Sequence, residues 1–348
     1  MNISRIVSAC AAACILCVAT LAPGMNRTAL AADGQPAKVS MAILYLTADT
    51  GVFLAIERGY FAQQGVDVEL SRITSSADAI SLLATNRLDV GSGSATPGLF
   101  NAFRRGVPVQ IVSDKSSQLP PGTDTGGLLV RKDLMDSGAV KSVGGLKGKR
   151  IAVNNIQSMS LNHLARALAL EGLTKDDVTL VELPFNQFIP AMQKKAIDGV
   201  LAFAPLYAAM IKMQVASPLP EASLARIAAG DNFNIMLFSQ GFAKTDAAKR
   251  FMVAYLQGQR DLQRAIDGKA DIRDVCKVIN KYIPAMAADC AGMSFTGIDP
   301  NGGVNLASLE RFQKEWLQWG IMTDAADIAG HVNLEFSRHA LAVLGPYR

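Results

Sequence analysis

The residues best placed for chemistry in this chain are hydroxyls ahead of helices, not nucleophiles beside bases. Thr74-Ser75-Ser76 and Gln157-Ser158-Met159-Ser160 each stand immediately before a helical pattern. A helix start leaves backbone N–H groups without intrahelical partners, so a hydroxyl-rich start can hold a carboxylate, sulfonate or phosphate without an arginine. The same serines also serve as ordinary N-caps, and both roles stay open here. Patterns for catalysis are absent: His163, His331 and His339 stand apart from one another and from cysteine, and no nucleophile elbow or triad spacing accompanies His163. The expectation is a binding protein, not an enzyme, with no cofactor and no metal.

Further candidates follow from the same logic. The loop Tyr45 to Thr50 follows the first apolar run and should reach the same rim, which brings in Tyr45, Thr47 and Asp49. Asp49 either accepts a ligand amine or hydroxyl or caps the helix after it. The small-residue stretch Gly91-Ser92-Gly93-Ser94 lets a ligand approach the backbone closely, with Ser94 and Ala95 as contacts. Its counterpart, Phe203-Ala204-Pro205-Leu206-Tyr207, offers Tyr207, an aromatic body with a polar tip. Phe185, Asn186 and Phe188 end another strand, and Asp231, Phe233 and Asn234 lie near a return crossing. Aromatic walls with few formal charges suit an organic anion with an apolar body better than a bare inorganic one.

The elements that must position these residues come in repeated strand-helix units, which argue for mostly parallel α/β sheets. Two stretches, Ile80 to Gly106 and Ile189 to Gln214, read as variants of each other. Each has a helical pattern, a hydrophobic-Asp pair (Leu88-Asp89, Ile197-Asp198), a small-residue strand, a proline and a second helix. Two similar lobes with a cleft between them are expected. Gln118 to Gly127, with two prolines and three glycines, marks the crossing between lobes. The division is therefore 38–120 and 236–348 for a discontinuous first lobe, and 121–235 for the second. Phe233 to Phe242 should carry the chain back. Helical patterns follow at Ala247 to Ile266, Ile272 to Tyr282 and Leu306 to Trp319, with Trp316 and Trp319 as packing anchors that wrap the tail on the first lobe.

Arg5, an apolar run from Ile6 to Ala22 and the small residues Ala29 to Ala32 form a secretory leader, placed at 1–32 with cleavage after Ala31 or Ala32. Removing Arg5 and Arg27 with it lowers the formal charge from +4 to +2. The remaining basic residues form no stripe, which argues against nucleic acid as a partner. Only Cys276 and Cys290 survive cleavage, either as one disulfide in an oxidising compartment or as two free thiols. Nothing in the sequence requires more than a monomer.

Several motifs in order resemble a known family. They are Val52-Phe53-Leu54-Ala55 with Glu57-Arg58-Gly59-Tyr60-Phe61, Gly65-Val66-Asp67-Val68-Glu69, and Leu88-Asp89-Val90-Gly91 with Gly106-Val107-Pro108-Val109. Leu146-Lys147-Gly148-Lys149-Arg150-Ile151-Ala152-Val153 and Ala196-Ile197-Asp198-Gly199 before Ala204-Pro205 complete the set. The chain resembles the substrate-binding proteins of ABC importers, in the family of nitrate, taurine and aliphatic-sulfonate receptors and the thiamine-precursor-binding domain. That resemblance implies a type II periplasmic-binding-protein fold, a periplasmic location, a permease in the inner membrane as partner, and a small organic anion as ligand. It carries ligand contact onto Thr47 to Asp49, Ser75-Ser76, Ser94-Ala95 and Gln157-Ser158-Met159. Ile156-Gln157-Ser158 and Ala204-Pro205 depart from the family's usual Gly-Ser or Gly-Thr step and Glu-Pro or aromatic step, so the ligands of known members do not transfer. A sensor subunit and a pyrimidine or thiamine-precursor-binding protein are the alternatives. A relative that consumes its own residues to make a pyrimidine carries a Cys- and His-rich motif that this chain lacks.

Overall fold

Two five-stranded sheets share one topology. The computed structural model describes residues 35–73, 75–118, 125–284, 290 and 295–348; the expected leader, Thr74 and residues 119–124 of the crossing lie outside the described residues. Strands β1 (Ala37–Ile43), β2 (Val66–Arg72), β3 (Val90–Gly93) and β4 (Val109–Ser117) belong to the first sheet. Strands β5 (Gly126–Arg131), β6 (Arg150–Val153), β7 (Thr179–Glu182), β8 (Gly199–Phe203) and β9 (Ala216–Ser223) make the second. Strand β10 (Asn232–Ser239) returns to the first. The orders are β2-β1-β3-β10-β4 and β7-β6-β8-β5-β9. In each sheet three parallel strands are followed by one antiparallel strand that has just crossed the hinge, β10 in one lobe and β5 in the other.

The two similar stretches occupy equivalent places, and their shared aspartates do the same work. Asp89, just before β3, accepts from the Ser40 backbone N–H at 2.9 Å and the Ser40 hydroxyl at 2.8 Å on β1. Asp198, just before β8, accepts from the Arg150 N–H at 3.0 Å on β6. In both lobes a carboxylate ties the third parallel strand to the first, which secures the register that points the strand ends at the cleft. This is the α/β fold of the type II periplasmic-binding proteins, with a discontinuous first lobe. The return into the first sheet begins at Asn232, which pairs with Ser117, four residues ahead of the expected boundary at 236.

The tail builds the first lobe from outside. The helix Asp246–Ile266 packs on the short helix Thr50–Glu57, and a β-carbon at Gly258 would stand 2.1 Å from the Gly51 carbonyl oxygen. Only a glycine there lets the two backbones approach so closely. Trp316 on the helix Leu306–Gln318 is fully buried, its ring 5.6 Å from Phe100, while Trp319 packs half-buried at the edge of the same core. That core reaches Met159, Leu224 and Ala228 in the second lobe, so the lobes share an apolar seam beneath the cleft. Cys276 and Cys290 are joined as a disulfide.

Candidate functional site

The sheets' strand ends face each other across a cleft of about 920 Å3. Its first-lobe wall comes from the loop after β1 (Leu46, Thr47, Ala48), the end of β2 (Arg72, Ile73) and the start of the helix Ser76–Ala84 (Ser75, Ser76). Ser94 and Ala95 after β3, Ser116 on β4, Asn234 on β10 and Thr296 from the tail complete that wall. The second-lobe wall comes from Asn154, Ser158, Met159 and Ser160 at the start of the helix Met159–Ala169, with Phe185, Asn186 and the run Phe203 to Leu206. Phe233 forms the floor between them.

The walls differ in chemistry. On the first lobe, Ser94 Oγ donates to Asn234 Oδ1 at 3.0 Å and Asn234 Nδ2 donates to Ser116 Oγ at 2.8 Å. The Ser94 N–H donates to Ser76 Oγ at 3.2 Å, which leaves the Ser76 hydroxyl proton to give away. On the second lobe, Phe185 is 44% exposed and meets Phe203 edge to face at 6.4 Å, and Phe203 meets Phe233 at 6.0 Å. These rings form an apolar strip. Among the described lining residues the only charged side chain is Arg72. Its guanidinium lies over the Tyr45 ring at 4.1 Å, and no ion pair engages it among the described residues.

Both hydroxyl-rich helix starts are at the cleft, and both also cap. Ser75 Oγ accepts from the Asp78 N–H at 3.4 Å while Asp78 accepts from the Ser75 N–H at 3.0 Å. Ser158 Oγ accepts from the Ser160 N–H at 3.3 Å and donates to the Asn155 carbonyl at 2.7 Å. The two roles left open by the sequence therefore coexist at these positions. The cleft brings together Thr47, Ser75, Ser76, Ser94, Ala95, Ser158, Met159, Phe185, Asn186 and Asn234 of the expected residues.

Five expected residues lie off the wall, each for a physical reason. Asp49 is buried, paired with the buried Lys115 amine, and accepts from the Leu46 N–H at 2.8 Å, so it braces the loop rather than meeting a ligand. Tyr45 sits under Arg72. Gln157 is exposed outside the cleft, its N–H turned to Asn155 Oδ1 at 2.6 Å. Tyr207 packs against the second-lobe core, because the next position along a helix is rotated by about 100° and Leu206 already faces the cleft. Asp231 is buried behind the floor, with Arg166 Nη1 at 2.5 Å and Arg311 also bonded to it. Burial opposes its charge, yet His163 and the two arginines hold its pKa below the usual carboxylate range.

Arg72 is the residue that the sequence reading missed. It is the last residue of β2 and so stands at the same strand end as the helix start after it, a placement visible from strand polarity alone. Ser116, Asn154 and Thr296 were also missed, while Ser160 belongs to the helix start that the sequence offered; Thr296 arrives from the tail and has no local signal. Among the described residues no cluster of metal-ligating side chains forms, and no helix is long and apolar enough to cross a membrane.

A family model described as "NMT1/THI5 like" matches residues 47–264, more than half of the chain. The chain belongs to that family. Among curated members it is similar to 4-amino-5-hydroxymethyl-2-methylpyrimidine phosphate synthase THI11 of Saccharomyces cerevisiae, 29% identical over 150 residues, 43% of this chain and 41% of the relative. The chain spans 36–41% of the length of the curated relatives it matches. Solved structures of the same fold include the alkanesulfonate-binding protein SsuA of Xanthomonas axonopodis pv. citri bound to MOPS, at 20% identity and TM-score 0.61, covering 86% of this chain and 99% of that one. The periplasmic aliphatic sulphonate binding protein SsuA of Escherichia coli is similar at 16% identity and TM-score 0.66, covering 86% and 92%. These likenesses show that the chain shares the fold of those two binding proteins.

Proposed function

We propose that this chain is the periplasmic solute-binding component of an ABC importer, which captures a small organic anion and delivers it to a membrane permease. The observation that carries this reading is the division of the cleft: among the described residues, one cation without an ion pair, Arg72, stands with hydroxyls and amides on the first lobe, and an aromatic strip lies on the second. A sulfonate or carboxylate head suits the first wall, and an apolar or aromatic body suits the other. Closure of the lobes then buries both ends at once. Among the described lining residues no nucleophile stands with a base, and capture without conversion is the role this favours, with no cofactor required.

The curated relatives favour a second reading within the same cleft. Because they are named as pyrimidine phosphate synthases, a pyrimidine or thiamine precursor is the alternative ligand, its ring on Phe185 and Phe203. A thermal-shift screen of sulfonates, aliphatic acids, aromatic acids and pyrimidines separates the two. Saturation at a hundredfold excess over Kd should add about 2.7 kcal/mol of stability. Mass spectrometry of the released compound should recover it unchanged; a chemically altered product would overturn the receptor reading.

A further inference from the structure

Tyr45 holds a backbone φ of +55°, a left-handed conformation that residues other than glycine, asparagine and aspartate seldom adopt. Such a conformation persists only where the surroundings over-determine it, and here they do. On its C-terminal side the Leu46 N–H is held by Asp49 at 2.8 Å, and Asp49 is held by the buried Lys115, whose amine also donates to the Ala48 carbonyl at 3.0 Å. The ring packs on Phe53 at 5.8 Å, and Phe53 is stacked on Tyr282 at 4.2 Å. Tyr282 belongs to the segment that the Cys276–Cys290 disulfide closes, and its hydroxyl donates to Glu57 at 2.7 Å. The outcome of this stack is one aromatic face beneath the guanidinium of Arg72.

We propose that Arg72 selects for negative charge in the cleft and that Tyr45 is the positioning residue that holds its guanidinium ready for a sulfonate or carboxylate. Arg72 sits on an exposed strand end, and an unsupported arginine there would sample many rotamers. Placement over the Tyr45 ring at 4.1 Å restrains the planar group while leaving its N–H fork free to meet two oxygens of one anion. Lysine has neither the flat face nor the fork, so the site needs arginine specifically. The column Tyr45-Phe53-Tyr282 links this arrangement to the tail.

This inference rests on the organic-anion reading above, and the test separates their failures. Benzenesulfonate, benzoate and hexanoate are each titrated calorimetrically against the neutral amide of the same body, on the full mature chain and its variants. The wild type should prefer the bound anion by about tenfold or more, the scale of a hydrogen bond to a charged group. Arg72→Met should abolish that preference, read as the ratio of anion to amide affinity within the variant. Tyr45→Leu, which has the same backbone constraint without a ring, should reduce the preference by about two- to fivefold, the scale of an exposed cation–π contact. Tyr45→Phe should restore it. An undiminished preference in Tyr45→Leu overturns the positioning role, and an undiminished preference in Arg72→Met overturns the selection. If Tyr45→Leu does not fold, Arg72→Lys tests the same point: it should lose most of the preference, and full retention overturns the stacking argument. Failure of all three anions to bind the wild type removes the organic-anion reading and this inference with it.

Discussion

His163 Nε2 lies 3.0 Å from Asp231 Oδ2, joining a helix of the second lobe to the strand that re-enters the first. Arg166 from the same helix and Arg311 from the tail reach the same carboxylate, and Arg166 also pairs with Glu315 at 2.8 Å. His163 packs against Phe203 at 6.1 Å and Phe233 at 5.5 Å, so this ionic seat is one layer beneath the cleft floor.

Acidification should loosen that seat. Burial disfavours the charged imidazole and lowers the His163 pKa in spite of Asp231, from an ordinary value of 6.5. A lowered histidine contributes stability that is complete above its unfolded pKa and is lost as pH falls below it, because the unfolded chain then binds the proton first. Unfolding free energy should therefore fall between pH 7 and 5 by up to ~1.4 kcal/mol per pH unit from this group. His163→Gln should flatten that part of a urea-melt profile; an unchanged profile would dismiss His163 as its source.

Asp114 should act with the opposite sign. Burial raises its pKa from 3.8 to about 6, outweighing donors at Ser117, the Asp299 N–H and Asn232. The folded form then binds its proton first, so its contribution is fully present below about pH 4 and is lost as pH rises through 6. The shift corresponds to about 3 kcal/mol. Compared with Asp114→Asn, the wild type should gain stability as pH drops from 6 to 4, read as a changing gap between the two melting curves.

Removing Lys115 should be more harmful than removing the pair. Lys115 and Asp49 are each 1% exposed, and Lys115→Met leaves a buried carboxylate without its counter-charge. The expected loss is about 3–5 kcal/mol, with a smaller loss in the Asp49→Asn/Lys115→Met double variant. Equal losses in single and double variants by denaturant titration would refute the coupling.

Ser158→Glu should abolish binding of an organic anion without unfolding the protein. The position lines the cleft and caps the helix Met159–Ala169, so a carboxylate there opposes the ligand's charge while remaining compatible with a helix start. Retained affinity in the variant, measured by calorimetry, would remove this helix start from the site.

The Cys276–Cys290 bond spans a sequence separation of 14 residues. Closing a loop of that length stabilises by about 3 kcal/mol in the chain-entropy account. Cys276→Ser/Cys290→Ser should lower stability by that order, and dithiothreitol should do the same to the wild type but not to the variant. A variant as stable as the wild type would make the bond incidental.

Local pattern alone determined the paired lobes, the hydroxyl-rich helix starts at Ser75 and Ser158, and the small-residue strand end at Ser94. Each of these depends on residues adjacent in sequence: strand polarity, a cap, a glycine run. The equivalence of Asp89 and Asp198 was likewise visible as a repeated hydrophobic-Asp pair, although its task of tying β3 to β1 and β8 to β6 was not.

Tertiary structure alone decided which side chains face the ligand space and which charges are already satisfied. Asp49 looked available until Lys115, distant in sequence, paired with it. Asp231 looked like a pocket residue until His163 and Arg166 from one helix and Arg311 from another surrounded it. Tyr45 was read as a contact and lies beneath Arg72, the one charged side chain among the described lining residues, because their 4.1 Å approach depends on the register of β1 against β2. Sequence fixes which groups exist and which local turns they favour; only packing decides their partners, since a buried charge or ring is claimed by whatever residue the fold brings against it.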